Sequence, residues 1–347
     1  MSIVSLLKER TMKTLFALLL ERCKRGQATQ LVTVVAEMGS APRHAGASMV
    51  VGEDGRLGGT IGGGVLEYSA VQSAQSLLAT GQGGLRKYQL TRIGMVCGGN
   101  VDLLFTYIYP SEVNQSTLTV ACDHSEKHKT GWLMLPYTGV EFGFYSREEG
   151  LFGLSPAFVP ERRGEQDYPV GKTETPAGTC YIQKLMNSGR IYVFGGGHIA
   201  QALIPLLEQL NFRCTVTDDR AEYSTRELFP CAEEVHTLDY VNLADEITIQ
   251  PQDCIVIITR GHKCDYEVLR FALRTSAYYI GVAGSRTKIA TLTAAIKADG
   301  FNEHDIARIT APIGIKIKSE TPAEIAVSIA AQLIEQRALY TSRSKIY

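Results

Sequence analysis

Hydrophobic and polar positions follow two rhythms along this chain, and the rhythm changes near its middle. From about residue 188 onward, short β-branched runs (RIYVFG, FRCTVTD, EEVHTLD, DCIVIIT and YYIGVAG) alternate with segments whose apolar positions recur at helical spacing (HIAQALIPLLEQL, YEVLRFALRT, TKIATLTAAIKADG and PAEIAVSIAAQLIEQRALY). Near-continuous apolar strands between amphipathic helices predict an open, mostly parallel sheet with both faces covered. The first half reads differently. An amphipathic helix (TMKTLFALLLERCKRG) precedes a strand at 30–39, a hairpin-like turn at EDG in ASMVVGEDGR, and a glycine cluster that opens a helix in GGTIGGGVLEYSAVQSAQSLLATG. Two more strand candidates follow, LRKYQLT and VDLLFTYIY. Residues 111–185 mix strand-like pieces (GWLMLPY, GVEFGFY) with the polar stretch SPAFVPERRGEQDYPVGKTETPAG, and read as remaining strands plus a connection.

The most informative stretch is Arg190 to Arg220. An apolar run enters Gly195-Gly196-Gly197, a helical pattern begins at His198, and a second strand ends in Asp218-Asp219. Strand, glycine turn, helix, strand and acid make the first half of a dinucleotide-binding unit. On this reading Gly195 permits the turn, Gly197 lets the backbone approach a pyrophosphate, and Ala200 lets the helix pack on the strand. The free N–H groups at the helix start face the anion. The expected fold class is α/β: a Rossmann-like doubly wound parallel sheet over residues 187–347, after a mixed α+β domain over 1–186.

Length supports the division, since 347 residues suggest two domains. A hydrophobic content of 45% provides ample core, and a formal net charge of -1 offers no basic surface for nucleic acid. The Leu15–Leu20 run only imitates a signal peptide, because it lacks a cleavage motif and runs into Glu21, Arg22, Lys24 and Arg25. No stretch approaches the roughly 20 apolar residues of a membrane span. A cytoplasmic protein with eight reduced cysteines is expected; none has CxxC spacing, and most lie in apolar strands as packing residues.

In parallel α/β sheets ligands bind outside the carboxyl ends of the strands. The unusual residues of the second half fall there: GGGH (195–198), DDR (218–220), TRGHKCD (259–265), GVAGSRTK (281–288) and, further on, APIGI (311–315). His198, Arg220, Arg260, His262, Gly284, Ser285, Arg286 and Lys288, with the backbone N–H groups, suit a phosphorylated anion. Each has a plainer reading. His198 caps its own helix, Asp218 and Asp219 end a strand and bind Arg220 instead of a ribose, Arg286 and Lys288 are solvated, and Asp265 is an N-cap.

The first half carries a second cluster. Gly62, Gly63 and Gly64 open a helix and make an anion nest, although Glu67 in the first turn stabilises the helix dipole without any ligand. Cys97, followed by Gly98 and Gly99, is an accessible thiol suited to a soft metal or to sulfur, or else a small hydrophobe at a turn. Arg43 holds an oxyanion or pairs with a carboxylate. Asp123, His124 and His128 have metal-like spacing but lie in the polar HSEKHK run and read as a solvated loop.

These segments, in this order, resemble the XdhC/CoxI family, accessory factors of xanthine dehydrogenase and related molybdenum hydroxylases. The resemblance rests on GSAPRHAGASMVV, GGTIGGGVLE, GMVCGGNVDLLF, VFGGGHIAQAL, VTDDR, TRGHKCDYEVL, YYIGVAGSRTK, PIGI and TPAEIAVSIAAQL, which span nearly the whole chain. Two positions depart from it: Lys318 stands where a glycine is common, and Gln332 where an acid is frequent. The resemblance implies a molybdenum-cofactor chaperone. It would bind molybdopterin or its dinucleotide form, hold it while a cysteine desulfurase exchanges an oxo ligand for sulfur, and pass it to a xanthine dehydrogenase-type hydroxylase. The second half would then hold phosphate and the first half, with Cys97, the metal end, the two facing each other across the ligand. Two other readings compete: an NAD(P)-dependent oxidoreductase, for which no clear hydride-transfer acid/base pair is visible, and a scaffold that only docks partners. A homodimer is the default assembly.

Overall fold

A computed structural model describes residues 12–40, 42–95, 98–127, 129–160, 168–185 and 189–346. The chain divides into two units, Met1–Asn187 and Ser188–Tyr347.

The first unit opens with α1 (Met12–Lys24), β1 (Thr29–Met38), the β2–β3 hairpin (Ser48–Gly52, Gly55–Gly59), α2 (Gly64–Thr80), β4 (Gly84–Gln89) and β5 (Asn100–Ile108). These strands form an antiparallel sheet in the order β3-β2-β1-β5-β4. Strand β1 is buried on both faces, which is why its pattern TQLVTVVAEM is nearly continuous rather than alternating. Val32 and Val34 pack under α2 with Leu66, Ala70 and Ala74. Leu31 and Val35 face the other way, onto Leu15, Phe16 and Leu19 of α1.

Region 111–185 differs from its expectation. It contains a helix, α3 (Glu112–Glu126), in addition to strands β6 (Gly131–Pro136), β7 (Gly143–Ser146), β8 (Gly150–Phe152), β9 (Gly171–Thr175) and β10 (Gly178–Leu185). Ser111 caps α3, its hydroxyl accepting from the Asn114 N–H at 3.1 Å. The helix escapes a pattern search because its sequence, EVNQSTLTVACDHSE, buries little that is apolar beyond Leu118 and Ala121. The strands make a second antiparallel sheet, β8-β7-β6-β10-β9.

The second unit holds β11 (Arg190–Phe194), α4 (His198–Gln209), β12 (Arg213–Asp218), β13 (Glu234–Thr237), α5 (Leu243–Glu246), β14 (Cys254–Ile257), α6 (His262–Leu273), β15 (Tyr279–Val282), α7 (Arg286–Ala298), α8 (Glu303–Ala307), β16 (Ile309–Thr310) and α9 (Pro322–Ile346). The six strands run in the order β13-β12-β11-β14-β15-β16, and every pairing is parallel. The order reverses at β11, between β12 and β14, which defines the switch point where such sheets place ligands. Ile191 and Val193 of β11 pack against Ala200, Leu203 and Leu207 of α4 and Ile329 and Leu333 of α9. Tyr192 and Phe194 point to the opposite face, onto Val268 and Leu269 of α6 and Leu292 of α7. Cys214 and Cys254 are buried within strands, and burial pushes the Cys254 thiol up to about 12, as expected of packing residues.

Of the two departures near the C-terminus, Gln332 has a structural role and Lys318 has a strained backbone. The Gln332 Oε1 accepts from the Tyr279 hydroxyl (2.7 Å) and from the Gly314 N–H (2.6 Å), tying the 311–315 segment to α9. Lys318 adopts a φ of 58°, in the left-handed region where a glycine is free of strain. Gln332→Leu should cost about 2 kcal/mol by stranding two donors, and Gln332→Glu, which keeps an acceptor, clearly less; equal denaturation midpoints for the two variants would contradict this. Lys318→Gly should gain about 0.5–1 kcal/mol, the strain relieved less the added unfolded-state entropy. A lowered melting midpoint would refute that reading.

Candidate functional site

The turn from β11 into α4 is held from three sides. Gly195 has a φ of 112°, donates to Thr217 O at 2.7 Å, and would place a Cβ 2.4 Å from Ile258 O. Only glycine meets both demands. Gly196 donates to the Asp218 Oδ2 at 2.8 Å, and a Cβ there would lie 1.9 Å from Tyr223 O. Gln201 holds the Gly196 carbonyl from α4 (3.1 Å). Gly197 differs from its neighbours: its φ of -71° suits any residue, and nothing lies within 4 Å of a Cβ. Space in front of this residue is therefore open.

Gly197 is the N-cap of α4, and Gly261 is the N-cap of α6 on the adjacent strand β14. Neither helix start has a side-chain cap among the described residues, and Gly261 also has nothing within 4 Å of a Cβ. Each is followed by an exposed histidine, His198 and His262. By contrast, the Ser285 hydroxyl caps α7, accepting from Lys288 N at 3.2 Å. Two Gly-His helix starts with free N–H groups thus flank the switch point, and both helix dipoles present their positive ends there. Asp265 is not the N-cap of α6. The helix starts three residues earlier, at His262, and places Asp265 in its first turn.

The acids of this edge are engaged by protein donors. The Asp218 carboxylate is buried and accepts from Gly196 N, Arg220 N (3.0 Å), Arg220 Nε (2.9 Å) and Arg220 Nη2 (3.1 Å). Burial would push its carboxyl up, but the Arg220 side chain, then the Gly196 and Arg220 N–H groups, outweigh burial and hold it below the usual range. The Arg220 Cζ stands over the Tyr223 ring, 3.6 Å from its centre. Asp219 pairs with Arg260 (2.9 Å) and accepts from the Cys264 thiol (3.7 Å). Asp265 is fully buried, accepts from the Thr259 hydroxyl at 2.7 Å, and pairs with Lys288, which also donates to Ala283 O at 3.3 Å. Lys288 is thus committed to α6, while Arg286 is exposed. The first-turn acid after TRGH was the available signal for this pair, but nothing in the sequence names its lysine.

In the first unit, Pro42 packs closely on Gly62, and Gly99 packs on the backbone of Met38 and Ser40. A Cβ on Gly62 would meet Pro42 Cβ at 2.7 Å, and one on Gly99 would meet Met38 O and Ser40 O at 2.6 Å each. Gly98 is exposed, and Arg43 is exposed at a recess of about 180 Å³ shared with Ser48 and Thr60. Cys97 lies outside the described residues. The nest at Gly62–Gly64 is filled from within. The Glu67 Oε2 accepts from Gly63 N (3.1 Å), Ile61 N (3.2 Å) and the Thr60 hydroxyl (2.6 Å), while Arg56 stands 3.4 Å from the other oxygen.

Among the described residues, no helix is long and apolar enough to cross a membrane. Comparison with known proteins agrees with the fold. A family model described as the XdhC Rossmann domain matches residues 191–333, and one described as the XdhC and CoxI family matches residues 23–89. The chain is 27% identical over 325 residues to a Bacillus subtilis protein named as a probable subunit of xanthine dehydrogenase, covering 88% of this chain and 92% of that one. It is 22% identical over 329 residues to the molybdenum cofactor insertion chaperone PaoD of Escherichia coli, covering 94% and 88%. A crystal structure from Bacillus halodurans, described as a xanthine dehydrogenase, superposes with a TM-score of 0.76 at 24% identity, over 93% of this chain and 95% of that one. Two models of one family thus match separate stretches of the chain, one in each unit, and this protein belongs to the XdhC and CoxI family.

Proposed function

We propose that this protein is a molybdenum-cofactor chaperone for a xanthine dehydrogenase-type molybdenum hydroxylase. The observation that carries the reading is the pair of uncapped Gly-His helix starts at Gly197 and Gly261, on the two strands that meet at the switch point. Backbone N–H groups of α4 and α6, His198 and His262 would hold the phosphate or pyrophosphate of the cofactor. The fit is good on the chain's own terms: both N-caps have open space in front of them, and both dipoles favour an anion.

Arg260 and Arg220 neutralise Asp219 and Asp218 at this edge, so that the acids do not repel the anion. Asp218 acts as a positioning residue. Its four accepted hydrogen bonds fill the acceptor sites of a carboxylate, so it orients the glycine turn and leaves no lone pair for a ribose. Asp265 and Lys288 join the start of α7 to that of α6. Bound here, the cofactor supplies a molybdenum centre whose oxo ligand is exchangeable for sulfur. The chain holds it for a cysteine desulfurase and then delivers it, and Cys97 is the proposed thiol for the molybdenum or its sulfur. The names borne by the relatives from Bacillus subtilis and Escherichia coli support this role.

Protein purified anaerobically from cells that make the cofactor should carry molybdenum and releasable pterin at near one per chain. Bound nicotinamide dinucleotide in place of pterin would sink the proposal in favour of an oxidoreductase. Molybdenum or sulfur should fall in Cys97→Ser, and unchanged content would remove that residue from the metal end.

Gly197→Ala and Gly196→Ala separate binding from folding. Gly197→Ala should keep its melting midpoint and lose pterin by about tenfold or more, a cost of roughly 1.4 kcal/mol for a methyl group in the anion's approach. Gly196→Ala should lose about 1–3 kcal/mol of stability, because the new methyl overlaps Tyr223 O. Full pterin content in Gly197→Ala would show that the anion sits elsewhere.

A further inference from the structure

Helix α3 ends in a group that the chaperone reading does not use. Asp123 and His124 lie in its last turn, and Glu149 lies in the turn between β7 and β8. The solvated-loop expectation for this segment fails here. His124 is only 1% exposed, packed edge-on to Phe144 with ring centres 5.3 Å apart. His128 lies outside the described residues.

Neither ring nitrogen of His124 has a hydrogen-bond partner among the described residues. Buried polar groups are almost always paired, so an imidazole with both nitrogens unpaired implies a missing partner. Its Nδ1 stands 3.9 Å from the Glu149 Oε1, beyond hydrogen-bond reach. The ligating atoms of Asp123, His124 and Glu149 all lie within 4.8 Å of one another. We propose that these three residues bind one divalent transition cation of the zinc class, fastening the end of α3 to the β7–β8 hairpin.

One imidazole and two carboxylates match the ligand preferences of such a cation. At metal–ligand lengths of about 2.0–2.2 Å, ligand atoms sit roughly 3.3–3.6 Å apart, so the three side chains need to close by only about 1 Å. The position favours a cation for a second reason: the carbonyl end of a helix carries partial negative charge. The competing charge is Lys127, which holds Asp123 at 2.8 Å. That contact is an exposed pair one turn apart and weak, and a metal displaces it easily. Lys129 is paired with Glu148, not with Glu149.

The test uses the full chain, stripped with a chelator and titrated with Co²⁺ and then Zn²⁺. One Co²⁺ per chain is expected, with weak visible bands and without the strong near-ultraviolet band of a thiolate ligand. Zn²⁺ should raise the melting midpoint. Glu149→Gln and Asp123→Asn should fold as the parent does when metal-free, and each should weaken binding by at least about tenfold. His124→Gln should abolish binding; if it does not fold, the two exposed carboxylate variants still decide the matter. Absence of binding, a thiolate band, or parental affinity in either carboxylate variant overturns the proposal.

Discussion

The second unit depends on one hydrogen bond from the Gly196 amide to the buried Asp218 carboxylate. The amide belongs to the turn that leaves β11; the carboxylate ends the neighbouring strand β12. A buried carboxylate is costly unless it is fully bonded. Here Arg220 supplies the remaining donors and is itself steadied on the ring of Tyr223. Tyr223 closes the arrangement, because its carbonyl leaves no room for a Cβ at Gly196. Strand end, turn and following loop therefore hold one another in place. The free amides at the start of α4 are aimed by this set of contacts before any ligand arrives.

The two glycine clusters show opposite solutions to one electrostatic problem. Amides converging at a helix start require negative charge. In the first unit Glu67 folds back to supply it, with Thr60 as an additional donor. At α4 and α6 no side chain among the described residues does so. A nest that brings its own carboxylate is a structural joint, while an unfilled one has unmet binding capacity. At α4 the difference lies in the residues that follow the glycines, HIA in place of VLE; α6 does carry an acid in its first turn, but Asp265 is taken up by Thr259 and Lys288 and not by the amides.

Much of the second unit was legible because its signals were local. The β-branched runs, the glycine turn and the acids sit close together in sequence, and parallel strands buried on both faces read as unbroken apolar stretches. Helix α3 was not legible, since its buried side includes Asn114, Thr117 and His124 instead of a hydrophobic stripe. The roles of individual site residues were harder still. Asp218 reads as a ribose acceptor until Arg220 is seen to fill it. Lys288 reads as a phosphate donor until it is found on Asp265, more than twenty residues away. Gly196 reads as one more cofactor-binding glycine of the turn, and Tyr223, which demands a glycine there, lies well beyond the motif. Long-range pairing decides these cases, and a single sequence does not display it.

The edges of the parallel sheet have a consequence of their own. One edge is β13, four residues long and carrying Glu234 and His236; the other is β16, which contributes only Ile309 and Thr310. Short edges bearing charge present almost no open ladder of amides and carbonyls, and so give a foreign strand little to extend. This unit is thereby guarded against growing into intermolecular β-structure while its binding edge stays exposed. Recognition of another protein by this sheet would have to proceed through side chains and helix surfaces, and not by strand addition.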